Sequence, residues 1–112
     1  MANFAKLLSL EAKKTRDPDG ADEITVSRQD GGVFERIRMR KDDVFTFDDQ
    51  RLLPFLPNQE PIGVVLTEVD EVADQGTRIG SATIRAEDLD FGEKTKRIEG
   101  AGALYLLTYK VI

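Results

Sequence analysis

The stretch EITVSRQDGGVFERIRMR, residues 23–40, carries the clearest fold signal in the sequence. Two runs of alternating apolar and polar residues flank Asp30-Gly31-Gly32, and glycine supplies the positive φ angles that tight hairpin turns require. The two runs are therefore predicted to be strands that pair antiparallel.

Similar short runs rich in Val, Ile, Thr, Phe and Tyr continue on both sides of this hairpin, separated by turn sequences at fairly even intervals. Several short strands at this spacing indicate a β-sandwich or barrel. We predict an all-β, eight-stranded antiparallel β-sandwich, with strands at residues 4–14, 23–29, 33–40, 44–47, 62–69, 79–85, 93–98 and 104–111.

The first of these segments, residues 4–14, is ambiguous. Leu, Lys, Glu and Ala are strong helix formers, and the positions of Phe4, Leu7 and Leu8 also fit a short amphipathic helix. Local propensity favours the helix, whereas a sandwich must shield its edges, which favours a strand. We expect a strand.

Composition limits both the class of protein and its chemistry. The 112 residues suffice for a single domain over 1–112, and 40% hydrophobic with 33% charged residues is too apolar for disorder and too polar for a membrane protein. No signal peptide is visible, so we expect a cytoplasmic protein. Sixteen basic and 21 acidic residues give a net charge of −5, which argues against nucleic acid as a partner. The sequence has no Cys and no His, which excludes disulfides, thiolate metal sites and Ser–His–Asp catalysis.

Two acidic clusters follow strand-like segments: RDPDGADE at residues 16–23 and EVDEVAD at residues 68–74. Crowded carboxylates repel one another unless a cation joins them, and calcium takes six to eight oxygen ligands from flexible loops. Asp17, Asp19 and Asp22 around Gly20 form a sensible cation loop, and Asp70 and Asp74 are candidates in the second cluster. The alternative is that these residues are turn formers and solvated loop acids.

The order of the pieces resembles the C2 domain, an eight-stranded calcium- and lipid-binding sandwich. The matching motifs are LLSLEA (7–12), DEITV (22–26), IGVVLTEVD (62–70) and RIGSATI (78–84). The resemblance covers nearly the whole chain in layout and supports a strand for residues 4–14.

The resemblance to C2 domains also implies a calcium site between the two acidic loops, with Asp17, Asp22, Glu68 and Asp70 as ligands. Thr77 stands where the family often has another aspartate, and Asp74 replaces it only if the loop bends differently.

Arg36, Arg38 and Arg40 alternate along the strand predicted at 33–40 and so share one face. Guanidinium groups match phosphate oxygens, and in C2 domains a basic strand face holds anionic headgroups. The alternative is that these arginines pair across the sheet with Glu23 or Glu35 and keep the outer face soluble.

Two apolar groups are expected to be structural. Leu52, Leu53, Phe55 and Leu56 lie near prolines and are interpreted as a plug at one end of the sandwich, with a partner-binding or membrane-inserting tip as the alternative. Tyr105 and Tyr109 lie four residues apart on one strand face and are interpreted as core or interface aromatics.

The sequence thus predicts a non-enzymatic binding module that binds calcium through the acidic loops and is recruited to an anionic membrane surface or a protein partner. The alternative is a calcium-independent interaction or structural subunit, for which a homo-oligomer is open. An enzyme using acid pairs such as Asp17 and Asp70 on glycosides needs a deep sugar cleft, for which a sandwich of this length has little room.

Overall fold

Two antiparallel β-sheets pack face to face as a sandwich in a computed structural model of the chain, which confirms the predicted all-β fold. The structure describes residues 3–17, 20–29, 31–49, 51–55, 61–69 and 76–112. The strands are β1 (Phe4–Lys14), β2 (Asp22–Arg28), β3 (Val33–Met39), β4 (Val44–Thr46), β5 (Leu52–Pro54), β6 (Ile62–Val69), β7 (Gly76–Ile84), β8 (Lys94–Gly100) and β9 (Ala103–Val111).

The first sheet has the strand order β4-β1-β9-β8, and the short β5 pairs with the start of β1. The second sheet has the order β3-β2-β6-β7. The hairpin predicted at residues 23–40 is confirmed, because β2 and β3 pair antiparallel, with Ile24 opposite Ile37. Between β7 and β8 the chain makes one short 3-10 turn, Ala86–Asp88. No helix in the described part of the chain is long and apolar enough to cross a membrane.

Residues 4–14 form a strand, as expected. Leu7 lies opposite Tyr109 and Ser9 lies opposite Thr108, so Leu8 is an extra residue in a β-bulge. The bulge turns both Leu7 and Leu10 toward the core, although they are three residues apart. This spacing is the one that resembles a helix in the sequence.

The described residues contain nine strands where eight were expected, because the segment interpreted as a plug includes β5. Leu53 is buried in the core and Phe55 packs against it, whereas Leu52 remains partly exposed. Pro54 is tolerated because β5 is an edge strand that pairs with β1. Leu56 lies outside the described residues.

The core lies between the two sheets and is built mainly by alternation of buried and exposed side chains, which the bulge in β1 and the buried residues 62–64 of β6 interrupt. On β9 every second side chain is buried, including Tyr105 and Tyr109, which confirms their interpretation as core aromatics. Hydrophobic side chains from β1, β2, β6 and β7 pack against this row.

The two long edges of the sandwich are closed differently. At one edge β7 and β8 approach closely across the sheets, and the Lys96 ammonium donates a hydrogen bond to the Thr83 carbonyl. At the other edge two arginines cross between the sheets. Arg28 donates to the Pro54 carbonyl at 2.7 Å, and Arg51 donates to the Phe34 carbonyl at 3.1 Å.

Candidate functional site

The end of the sandwich where β1 stops and β2 starts gathers four polar residues from distant parts of the sequence. Asp22 begins β2, Glu68 lies near the end of β6 beside Ile24, and Tyr105 lies on β9 opposite Ala12. Arg16 comes from the loop between β1 and β2. We call these residues, Arg16, Asp22, Glu68 and Tyr105, the Asp22 cluster.

Asp22 is fully buried and both of its carboxylate oxygens accept hydrogen bonds. Oδ2 accepts from the Tyr105 hydroxyl at 2.7 Å and from the backbone N–H of Arg16 at 2.8 Å. Oδ1 accepts from the backbone N–H of Asp17 at 3.0 Å. Since Tyr105 belongs to the first sheet and Asp22 to the second, this carboxylate ties the two sheets and the β1–β2 loop together.

Glu68 completes the cluster. Its carboxyl hydrogen-bonds to Asp22 and accepts from Arg16 Nη1, with Nη1 and Oε1 2.6 Å apart. Two carboxyl groups hydrogen-bond to each other only when one of them is protonated. A proton shared by the pair would relieve the repulsion between the two carboxylates beside the Arg16 guanidinium group.

The pKa directions favour Glu68 over Asp22 as the carrier of such a proton. Burial raises the pKa of Glu68, the hydrogen bond with Asp22 raises it further, and Arg16 only partly opposes both. Burial also acts to raise the pKa of Asp22, but the hydrogen bonds from Glu68, Tyr105 and the two backbone N–H groups outweigh it and lower that pKa. The pKa of the Tyr105 hydroxyl is raised by burial first and then by its bond to Asp22, so it stays a donor.

These pKa shifts predict that the contribution of Asp22 and Glu68 to the free energy of unfolding is largest at weakly acidic pH. The contribution of Asp22 is lost as pH falls through its folded pKa, which lies below the ordinary 3.8. The contribution of Glu68 is lost as pH rises through its folded pKa, which lies above the ordinary 4.5. Glu68→Gln mimics the protonated acid. As pH rises above 4.5, the wild type is therefore expected to lose stability relative to this variant, so that the variant's free energy of unfolding increases relative to that of the wild type.

Urea unfolding of both proteins at a series of pH values from acid to neutral measures this difference. Glu99→Gln is the matched control, because Glu99 is an exposed acid on β8 outside the cluster. A constant difference between Glu68→Gln and the wild type across the series would contradict the shared proton.

Three of the six predicted calcium ligands are described by the structure. It brings Asp22 and Glu68 into contact, while Asp17 turns its backbone N–H to Asp22. Asp19, Asp70 and Asp74 lie outside the described residues. Within the described residues no group of three or more acidic side chains is placed to hold a metal ion. Calcium binding by these loops stays a prediction.

Sequence reasoning did not assign Arg16 and Tyr105 to the site. A signal for Tyr105 existed, because a buried tyrosine usually needs a hydrogen-bond partner for its hydroxyl. A signal for Arg16 also existed, because it is the one cation inside the first acidic cluster.

The second predicted site, Arg36, Arg38 and Arg40, is described completely. All three arginines are exposed, while Ile37 and Met39 on the alternate positions are buried. Arg36 lies 3.9 Å from Glu23, a loose ion pair, and Glu35 pairs with Arg51 at 3.0 Å. We call this surface the arginine face.

A comparison with protein-family models gives no match for this chain, and a comparison with curated proteins finds no significant relative.

Proposed function

We propose that this protein is a non-enzymatic binding module that works without calcium and docks an acidic, extended protein segment along β3. The observation that supports calcium independence is the state of the Asp22 carboxylate. Both oxygens are occupied by donors of the chain itself, and the Arg16 guanidinium supplies the positive charge beside Glu68. A calcium ion at Asp22 would have to displace these donors.

The choice of partner rests on the position of the arginine face. β3 is the edge strand of the second sheet and pairs, among the described strands, with β2 alone. An edge strand offers backbone N–H and C=O groups to an extended chain, which gives affinity through the main chain, and β3 offers them beyond Phe34, whose carbonyl already accepts a hydrogen bond from Arg51. Arg38 lies on β3 and Arg40 directly follows the strand, both are exposed, and the described residues supply no ion pair to either.

A peptide uses both features of this edge, whereas a membrane surface uses only the charge. Acidic side chains of an added strand would come to lie opposite the arginines, because directly opposed side chains on neighbouring strands are close enough to interact. Of the two partners that the sequence leaves open, an anionic membrane and a protein, an extended protein segment therefore fits this edge better.

The test is fluorescence anisotropy with a labelled peptide of alternating Glu and Val as the probe. Wild-type protein is expected to bind it, and Arg38→Glu is expected to weaken binding by about tenfold or more because it puts like charges opposite each other. Arg97→Glu is the matched control, since Arg97 is an exposed arginine on another edge strand, β8. Equal affinities for the two variants, or equal binding of a Gln–Val peptide, would overturn the arginine face as the docking site.

Two further arms address calcium and membranes. Peptide affinity is expected to be the same in calcium and in chelator, and calorimetry is expected to show no saturable calcium heat. Saturable calcium binding that Asp22→Asn removes would overturn calcium independence. Binding to phosphatidylserine vesicles without binding to the peptide would overturn the protein partner in favour of a membrane.

A further inference from the structure

A cavity of about 390 Å³ opens beside the end of β1, next to the loop that carries Arg16. Among the described residues it is lined by Lys13, Lys14, Thr15 and Lys41. Three of these four side chains carry an ammonium group. The most conspicuous charges in the sequence are those of the acidic loops and the arginine face, and Lys41 is distant in sequence from Lys13 and Lys14.

The fold brings these lysines together by docking the β3–β4 turn onto β1. The Ala12 N–H donates to the Asp43 carbonyl at 2.9 Å, and the Asp42 N–H donates to the Ala12 carbonyl at 2.6 Å. Asp42 adopts a left-handed conformation with φ of 70°, which closes the turn. Lys41 is thereby held beside Lys13 and Lys14 by backbone hydrogen bonds and not by its own flexible side chain.

The charge at this cavity is only partly balanced. Lys13 pairs with Glu11 at 3.1 Å, and the described residues supply no ion pair to Lys14 or Lys41. The Thr15 hydroxyl donates to the Asp17 carbonyl at 2.8 Å, so the lysines are the available donors. In a chain with a net charge of −5, three lysines around one cavity concentrate positive charge, although the acids Glu11, Asp42 and Asp43 lie close by.

We propose that this cavity binds an anion that carries two or more phosphate groups. Its volume lies within the range of small-molecule sites. Ammonium groups bind phosphate oxygens as point charges, and a ligand with several phosphates brings enough negative charge to relieve the repulsion among three lysines. The site shares no residue with the arginine face and does not depend on the peptide function proposed for it.

The experiment is an NMR titration of the folded protein with inorganic pyrophosphate, followed through backbone amide signals. Saturable shifts are expected at Lys13, Lys14, Thr15 and Lys41. The double variant Lys14→Gln/Lys41→Gln is expected to weaken binding by about tenfold or more, since each charge-assisted contact is among the stronger hydrogen bonds. Arg85→Gln is the single-charge control, because Arg85 is exposed and lies beyond the far end of β7.

A second arm separates a soluble ligand from a lipid. The same variants are mixed with phosphatidylcholine vesicles that contain a phosphatidylinositol bisphosphate, a lipid with more than one phosphate group, and sedimentation measures binding. Binding to pyrophosphate, or to these vesicles alone, supports the site if the double variant loses it and Arg85→Gln keeps it. The proposed site would be overturned if neither pyrophosphate nor the vesicles bound. It would also be overturned if the amide shifts appeared at β3 residues and the double variant bound as tightly as the wild type. The amide spectrum of each variant reports directly that it is folded.

Discussion

Asp22→Ala is expected to lower the free energy of unfolding by about 3–5 kcal/mol, the range found when one member of a buried charged network is removed. The change strips the hydrogen-bond acceptor from the Tyr105 hydroxyl and from the backbone N–H groups of Arg16 and Asp17. A buried donor without an acceptor has lost its hydrogen bonds to water and makes no hydrogen bond in the protein, which is unfavourable. It also frees Glu68 from its carboxyl partner beside Arg16.

Urea unfolding monitored by circular dichroism measures this loss. Milder variants allow the measurement even if Asp22→Ala is too unstable to fold. Asp22→Asn keeps the volume and one acceptor oxygen, so a smaller loss is expected. Tyr105→Phe removes a single hydrogen bond and is expected to cost about 1 kcal/mol. Asp49→Ala is the control, because that side chain is 99% exposed, and its effect is expected to be within about 0.5 kcal/mol. An Asp22→Ala protein as stable as this control would contradict the structural role of the cluster.

The hairpin at residues 23–40 was predictable because its signal is local. Strand alternation follows from backbone conformation alone, and the pairing of β2 with β3 needs no knowledge of the rest of the chain. The reason given for the turn was wrong, because neither Gly31 nor Gly32 has a positive φ. β1 was harder for a physical reason. The bulge at Leu8 inserts one residue, so Leu7 and Leu10 both face the core at a spacing that sequence alone assigns to a helix.

The two acidic residues of the candidate site were predictable from the sequence, but the residues that they contact were not. Asp22 and Glu68 stood out because carboxylates cluster in the sequence, and the structure does bring them together. Their chemistry depends on Arg16, which is 52 residues from Glu68, and on Tyr105, which is 83 residues from Asp22. Composition indicates that negative charge needs compensation. Only the packing of the two sheets decides whether the compensation comes from a guanidinium group, a shared proton or a metal ion.

The same packing links the Asp22 cluster to the lysine cavity. Arg16 and Asp17 present their N–H groups to Asp22, which fixes the loop directly after Lys14 and Thr15. The β3–β4 turn is fixed from the other side by its bonds to Ala12. The buried carboxylate therefore positions one wall of the cavity, and its function there is to hold backbone in place.

The second large loss of stability is expected from a substitution at the edge where β7 meets β8. A Cβ atom on Gly100 would lie 2.0 Å from the carbonyl oxygen of Ile79, and a backbone atom cannot move aside as a flexible side chain can. Gly80, on the facing strand, is less confined, with a Cβ position 3.2 Å from the Glu99 carbonyl oxygen, a contact that a shift of a few tenths of an ångström would relieve. Glycine at position 100 lets the two sheets touch, and a larger residue there must push them apart.

Gly100→Ala is accordingly expected to lower the free energy of unfolding by about 2–3 kcal/mol, as overpacking of a tight contact does. Separation of the strands would also lengthen the hydrogen bond from Lys96 to the Thr83 carbonyl. Thermal and urea unfolding measure the loss. Gly32→Ala is the matched control, because an added Cβ there meets no atom within 4 Å and the residue does not have a positive φ. If Gly100→Ala unfolded at the same urea concentration as Gly32→Ala, the close approach of β7 and β8 would be wrong, because a sandwich with room for a methyl group at that corner would have its two sheets further apart.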